Sequence, residues 1–293
     1  MGTEPKTVYY REVVIIMMYV ELKEKLKSLE VPPFVIICSQ SPIANKEMAY
    51  YLAKKDYLGM NIVIGDNKVD TVREIISMAY TQTIPTYYIF LDADSMSPSA
   101  KNALLKVTEE PPKNVHFVLC ISNMANTLAT LRSRAYTLQL RPLTVREVKE
   151  ILDKKYPNAT DSERQIAIRI CTTYEQVQDL FKQDVEELVE FVEKVVDNVA
   201  SVTVTNALKI LLSLKFKEDD KGKYNPILFL NLYAETLTDR FLDEYISVDE
   251  YQSAMNSVLE LRTELRVNAI NSKNLFELWL LEQWQILGGE NIE

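Results

Sequence analysis

Short apolar runs separated by stretches of helical spacing fill the first half of the chain, and they stop at Pro142. The runs lie at 34–38, 61–64, 87–91, 116–121 and 136–140. Between them the apolar residues fall at three- and four-residue intervals: Val69, Val72, Ile75, Ile76 and Ala79 share one helical face, as do Ala100, Ala103, Leu104 and Val107. A further helical stretch is expected near 44–55. Ser97 followed by Pro98 opens the helix at 98, with Ser at the cap and Pro at the first helical position, and Pro111-Pro112 ends it. Continuous apolar strands alternating with helices imply a parallel sheet covered on both faces. The expected fold class is therefore α/β.

Beyond Pro142 no strand pattern is left. Thr144 with Glu147 three residues on predicts a capping box and a helix over 145–152. Asp161 is expected to open another helix through Ile166, Ala167 and Ile170. From about 184 the chain reads as helix almost to its end, with Leu188, Phe191, Val192, Val195 and Val199 in helical register. A charged loop at 218–223 separates two such helices, and further helices are expected at 227–241, 251–267 and 275–286. There is no internal repeat. The layout predicted is an α/β core over 1–143 (best supported over 31–143), a small helical domain over 144–183 and a helical domain over 184–293.

Composition narrows the function. The net charge is −9, but residues 1–150 carry 18 basic and 16 acidic residues, and residues 151–293 carry 15 and 26. The second half is thus unsuited to gripping a phosphate backbone over a broad face, so any DNA contact falls to the first half or to a partner. Three well-separated cysteines, Cys38, Cys120 and Cys171, argue against a disulfide framework or a Cys-x-x-Cys zinc site. No apolar window is long enough for a membrane span and no secretory pattern opens the chain, so a cytoplasmic setting is expected. Whether the protein begins at Met1 or at Met18 is left open.

Three segments hold residues suited to chemistry. Asp92 and Asp94 follow the third strand, at the carboxyl end where parallel sheets bind ligands and nucleotide hydrolases hold Mg²⁺. The segment after the first strand, Ser39-Gln40-Ser41-Pro42-Ile43-Ala44-Asn45-Lys46-Glu47, stands where a phosphate loop would be. It has no glycine, and Glu47 takes the place of the hydroxyl that follows the lysine, so Lys46 and Asp92 are weak nucleotide-binding candidates. Arg132, Ser133 and Arg134 lie between the fourth and fifth strands, where a guanidinium could fork onto a phosphate held by another subunit. His116, Cys38 and Cys120 read as structural, Trp279 and Trp284 as packing residues, and the acids at 184, 186, 187, 190 and 193 as a solvated helix face.

These residues carry a resemblance. Asn102-Ala103-Leu104-Leu105-Lys106-Val107-Thr108-Glu109-Glu110-Pro111-Pro112 resembles the N-A-L-L-K-x-x-E-E-P-P pattern of the AAA+ subunits of DNA polymerase III clamp loaders. Leu131-Arg132-Ser133-Arg134-Ala135 is similar to their Ser-Arg-Cys motif, with Ala135 in place of the Cys. Val69-Asp70-Thr71-Val72-Arg73-Glu74-Ile75 resembles their V-D-x-x-R-E-I stretch, Arg141-Pro142-Leu143 their proline turn, and 265–278 faintly their collar helices. The resemblance implies an AAA+ P-loop-type core, a helical lid and an all-α collar.

The departures resemble the delta-prime type. The glycine loop is degraded, Ala93 replaces the glutamate after Asp92, and the four-cysteine zinc module is absent. Arg169 lacks the lid pattern around it, since Thr172-Thr173-Tyr174 does not supply the turn. Such a subunit is implied to have no ATP or Mg²⁺ of its own. It would complete a neighbour's ATP site with Arg134, helped by Ser133. Its implied partners are clamp loader ATPase subunits, a delta-type subunit, the sliding clamp, and primer-template DNA through the complex. Two alternatives stand beside it: an ATPase with an unorthodox loop at Lys46, or a delta-type clamp opener with a wedge near Asp94-Ser95-Met96.

Overall fold

The computed structural model describes residues 19–55, 61–201, 225–267 and 272–288. The expected loop at 218–223 and the choice of start lie outside those residues, as do residues 268–271 of the collar-like stretch. The chain divides into two compact units, 1–143 and 144–293.

In the first unit, α1 (Val20–Leu26) precedes β1 (Phe34–Cys38), α2 (Pro42–Lys55), β2 (Asn61–Gly65), α3 (Val69–Ala79), β3 (Thr86–Phe90), α4 (Pro98–Glu109), β4 (Val115–Ile121), the single turn α5 (Ala129–Arg132) and β5 (Tyr136–Gln139). The five strands form one sheet in the order β2-β3-β4-β1-β5, and every pairing is parallel. Every residue of β1 and β3 is buried, as continuous apolar runs require. One face packs Phe34, Ile36, Tyr88, Phe90, Phe117 and Leu119 against Val72 and Ile75 of α3 and Leu104 and Val107 of α4. On the other, α2 packs against β1 and β4 and buries Met48, Ala49, Leu52 and Ala53.

Cover on both faces fails at the sheet's two margins. Of β5 only Leu138 is buried, and Ile64 of β2 is 45% exposed. Each of these strands has one neighbour, so the helices that roof the centre leave part of its surface to water. Ser97 caps α4 as expected, accepting from Ala100 N at 3.2 Å, with Pro98 at the first helical position.

The second unit is helical among the described residues: α6 (Val145–Lys155), α7 (Asp161–Ile170), α8 (Tyr174–Leu180), α9 (Val185–Ser201), α10 (Pro226–Leu242), α11 (Val248–Val267) and α12 (Ser272–Gly288). The Thr144–Glu147 capping box is present. Two more were not read from the sequence: Thr160 with Glu163, which makes Thr160 rather than Asp161 the cap of α7, and Thr173 with Gln176, which starts α8. Helices from both sides of the expected 183/184 boundary pack together: Asn231 of α10 donates to the Ile170 carbonyl at 2.8 Å. The core gathers Phe229, Tyr233, Phe276 and Trp279, with ring centroids 4.8–6.5 Å apart. Within it the fully buried Gln283 accepts from Tyr233 Oη at 3.0 Å and donates to the Ala254 carbonyl at 3.2 Å.

Candidate functional site

The segment after β1 closes on itself. Ser39 N donates to the Ile121 carbonyl at 3.1 Å, Ser41 N to Ser39 Oγ at 3.1 Å, Ala44 N to Ser41 Oγ at 3.0 Å and Asn45 N to the Ser41 carbonyl at 3.0 Å. The buried Asn45 amide locks the turn, donating to the Ser39 and Ile121 carbonyls at 3.2 and 2.9 Å while its Oδ1 accepts from Ser39 Oγ at 2.8 Å. A phosphate-binding turn offers backbone N–H groups outward; here these four are directed into the chain. Lys46 is exposed and lies over the Tyr50 ring, 5.8 Å from its centroid.

The two acids after β3 diverge. Asp92 is exposed and has a left-handed backbone, φ 54°. Asn67 Nδ2 fixes that turn by donating to the Leu91 and Asp92 carbonyls and to Ser95 Oγ. Asp94 instead accepts from Ser122 N, tying the end of β3 to the end of β4. Met96 is buried in the sheet core and is not available as a surface wedge.

The arginine loop is held by one turn of helix. Leu131 of α5 is fully buried and anchors it. Ser133 Oγ turns back to donate to the Thr130 carbonyl at 3.1 Å, so the hydroxyl holds the turn. Arg134 donates from Nη1 to the same carbonyl and from Nη2 to Glu109 Oε1 at the end of α4. Two of the five guanidinium N–H groups are thereby used and three remain. Arg132 is exposed, with no ion pair or side-chain hydrogen bond among the described residues.

Strand direction separates these groups. Tyr136, two residues after Arg134, pairs with Val35 near the start of β1, whereas Ser39 follows the end of β1. All strands are parallel, so Arg134 and Glu109 sit at the amino edge of the sheet, and Ser39–Lys46, Asp92 and Asp94 at the carboxyl edge. One strand length, about 13 Å for five residues, lies between the edges. The structure thus does not bring Arg134 together with Lys46 or Asp92.

The residues read as structural are so used. His116 stacks on Tyr87 with centroids 4.3 Å apart, and its Nδ1 lies 3.1 Å from the Pro32 carbonyl. Cys38, Cys120 and Cys171 are buried thiols. Burial pushes Cys120 and Cys171 up to about 12 and raises Cys38 as well. Arg169 is paired with Glu235 and Asp239 of α10, and those partners hold its guanidinium above its usual range. The Glu109 partnership and the Asn45 lock were not read from the sequence. Glu109 lies within the quoted E-E-P-P pattern, but nothing in that pattern names its partner.

The sheet and its helices make a parallel α/β unit that a helical unit follows in the chain. Residues 25–144 match the family model described as DNA polymerase III, delta subunit. The DNA polymerase III subunit gamma of Buchnera aphidicola subsp. Schizaphis graminum is 32% identical over 114 residues, 36% of this chain and 30% of that protein. The subunit delta' of Yersinia pestis is 39% identical over 71 residues, 23% of this chain and 21% of that protein. Among solved structures, a DNA polymerase III gamma subunit-related protein of Thermotoga maritima aligns with a TM-score of 0.47 at 18% identity, covering 91% of this chain and 98% of that one. The chain spans less than a third of the length of the curated relatives named. Over residues 25–144 the chain is thus similar to subunits of DNA polymerase III.

Proposed function

We propose that the chain is a non-catalytic subunit of a sliding-clamp loader in DNA replication, of the delta-prime type. It holds no ATP or Mg²⁺ itself; both reside on neighbouring ATPase subunits, and Arg134 completes the ATP site of one of them. The observation that carries this reading is that Arg134 and the chain's own β1 loop lie at opposite edges of the sheet, a strand length apart. A guanidinium at the amino edge has no route to a nucleotide at the carboxyl edge of the same sheet, but it is open to a subunit docked against that edge. The self-closed turn around Asn45 supports the same reading, because the amides of Ser39, Ser41, Ala44 and Asn45 are bonded within the chain.

In this role Arg134 sets positive charge against the γ-phosphate on the adjacent subunit, an effect worth roughly 10³–10⁵ in rate in the best cases. Ser133 shapes the turn that presents it. Residues 144–183 act as the lid and 184–293 as the collar that joins the ring. The partners are clamp loader ATPase subunits, a delta-type subunit and the sliding clamp, with primer-template DNA held through the complex in the cytoplasm.

The test is reconstitution with the ATPase subunits from the same cells. Arg134→Ala is expected to leave assembly intact and to lower clamp-dependent ATP turnover, while the isolated chain shows no Mg·ATP binding by calorimetry. Unchanged turnover would remove Arg134 from the mechanism. Stoichiometric Mg·ATP binding lost on Lys46→Ala would replace the reading with that of an ATPase.

A further inference from the structure

The corner between α10 and α11 exposes three large apolar side chains within seven residues: Leu242 at 69%, Tyr245 at 75% and Val248 at 54%. Beside them opens a groove of about 450 Å³. Its walls include Val196 of α9, Leu237 of α10, Ile246 of the corner and Leu287 of α12, and its rim carries the Arg240–Asp197 ion pair. A cluster of this kind is more than singly scattered surface residues, and such clusters mark contact sites.

The charges along the corner are mostly acidic. Residues 235–250 contain six carboxylates and one arginine, and that arginine is committed to Asp197. Glu250 is spent on the α11 cap, where it accepts from Ser247 N at 2.7 Å, and Glu235 and Asp239 are spent on Arg169. Asp243, Glu244 and Asp249 have no side-chain hydrogen bond or ion pair among the described residues. They lie next to the three exposed apolar residues in the chain: Asp243 and Glu244 between Leu242 and Tyr245, and Asp249 after Val248. Glu244 holds a left-handed backbone, φ 61°, which makes the corner a fixed turn rather than an extension of either helix.

We propose that this corner is a docking surface for a basic amphipathic helix of another protein, with apolar side chains seated on Leu242, Tyr245 and Val248 and Lys or Arg side chains meeting Asp243, Glu244 and Asp249. Charge complementarity selects this occupant. Phosphate backbones and anionic lipid surfaces are repelled by the same carboxylates, and a second copy of this corner would bring like charges together. Apolar contact supplies the affinity, and the carboxylate ring supplies the choice of partner. The inference does not depend on the clamp loader role.

The test uses the full chain and a fluorescein-labelled helical peptide of Leu and Lys, with a Leu and Glu peptide of the same pattern as control, followed by fluorescence anisotropy. The Lys peptide is expected to bind in a salt-sensitive manner and the Glu peptide not to bind. The double variant Leu242→Ser/Tyr245→Ser should weaken binding by about tenfold, the scale of one well-seated anchor. The triple variant Asp243→Asn/Glu244→Gln/Asp249→Asn should weaken it and flatten the salt dependence. These residues are at the surface, and circular dichroism of each variant verifies the fold. Equal binding by both peptides, or wild-type binding by the Ser double variant, would overturn the proposal. So would concentration-dependent self-association of the wild-type chain that the Ser double variant abolishes, which would assign the surface to a second copy.

Discussion

Glu109 and Arg134, 25 residues apart, form an ion pair between the carboxylate Oε1 and the guanidinium Nη2. The pair joins the last residue of α4 to the loop that leads into β5, so the two family-like segments of the chain meet in space. Their side chains are 51% and 30% exposed. Water screens such a pair, and exposed pairs contribute about 0.2–1 kcal/mol. Glu109 thus orients Arg134 without contributing much to the stability of the fold.

A double-mutant cycle tests that balance. Glu109→Gln and Arg134→Ala, singly and together, should yield a coupling energy within about 0.2–1 kcal/mol in urea unfolding, decreasing with added salt. A coupling of several kcal/mol would make the pair a structural anchor instead.

Asn45→Ala should be far more damaging than its exposed neighbour Lys46→Ala. The asparagine side chain joins the Ser39 and Ile121 carbonyls and Ser39 Oγ in a buried turn. Its loss strands those groups, at a cost of about 1–3 kcal/mol. Urea titration measures the cost, and hydrogen exchange at the amides of β1 and β4 should accelerate with it. Equal stability of the two variants would mean that the turn is held by other contacts.

Gly65→Ala should destabilise the first unit by about 1–3 kcal/mol. An added Cβ at the end of β2 would run into the ring of Phe90 and lie 2.9 Å from Ile75 Cδ1. Both neighbours are buried in the sheet core and cannot swing into solvent. The thermal midpoint measures the effect, and an unchanged midpoint would show that the Phe90 ring can yield.

The three thiols should not react with a disulfide reagent at mildly alkaline pH until the chain is unfolded. Burial is the largest cause of the raised values, with Cys120 and Cys171 at about 12, and the thiolate is the reactive form. The sign for stability follows from the same shift. Above about 8.5 the unfolded chain gives up thiol protons that the folded chain retains, so stability is lost as pH rises from there towards 12. Titration of free thiols with and without urea, and unfolding curves across that range, check both statements. Rapid labelling of the native chain would contradict the burial of the cysteines.

The strands and most helices were legible because burial on two faces leaves an unbroken apolar run, while burial on one helical face leaves a three-to-four spacing. α8 was missed. Its seven residues are too few for a strong period, and Thr173 with Gln176, the signal that could have found it, is a polar one. The exposure of Ile64 and Tyr136 was not legible either. An edge strand and a central strand can carry the same apolar residues, and only the strand order separates them.

The candidate site divides in the same way. The missing glycines after β1 and the residues Arg132, Ser133 and Arg134 are properties of the chain and can be read without coordinates. The direction in which each group faces is not.

Residue type and spacing by themselves determined an α/β unit followed by helices, the capped starts of α4 and α6, and a segment after β1 unlike a glycine-rich turn. Tertiary structure alone decided that Arg134 is held by Glu109, that it sits at the edge of the sheet opposite the one that Ser39 follows, and that Met96 is buried. It also decided that Leu242, Tyr245 and Val248 are left facing water. The physical reason is that burial and hydrogen-bonding capacity act locally and leave periodic traces in the chain. Pairings between distant residues depend on strand order and direction, which a linear pattern does not record.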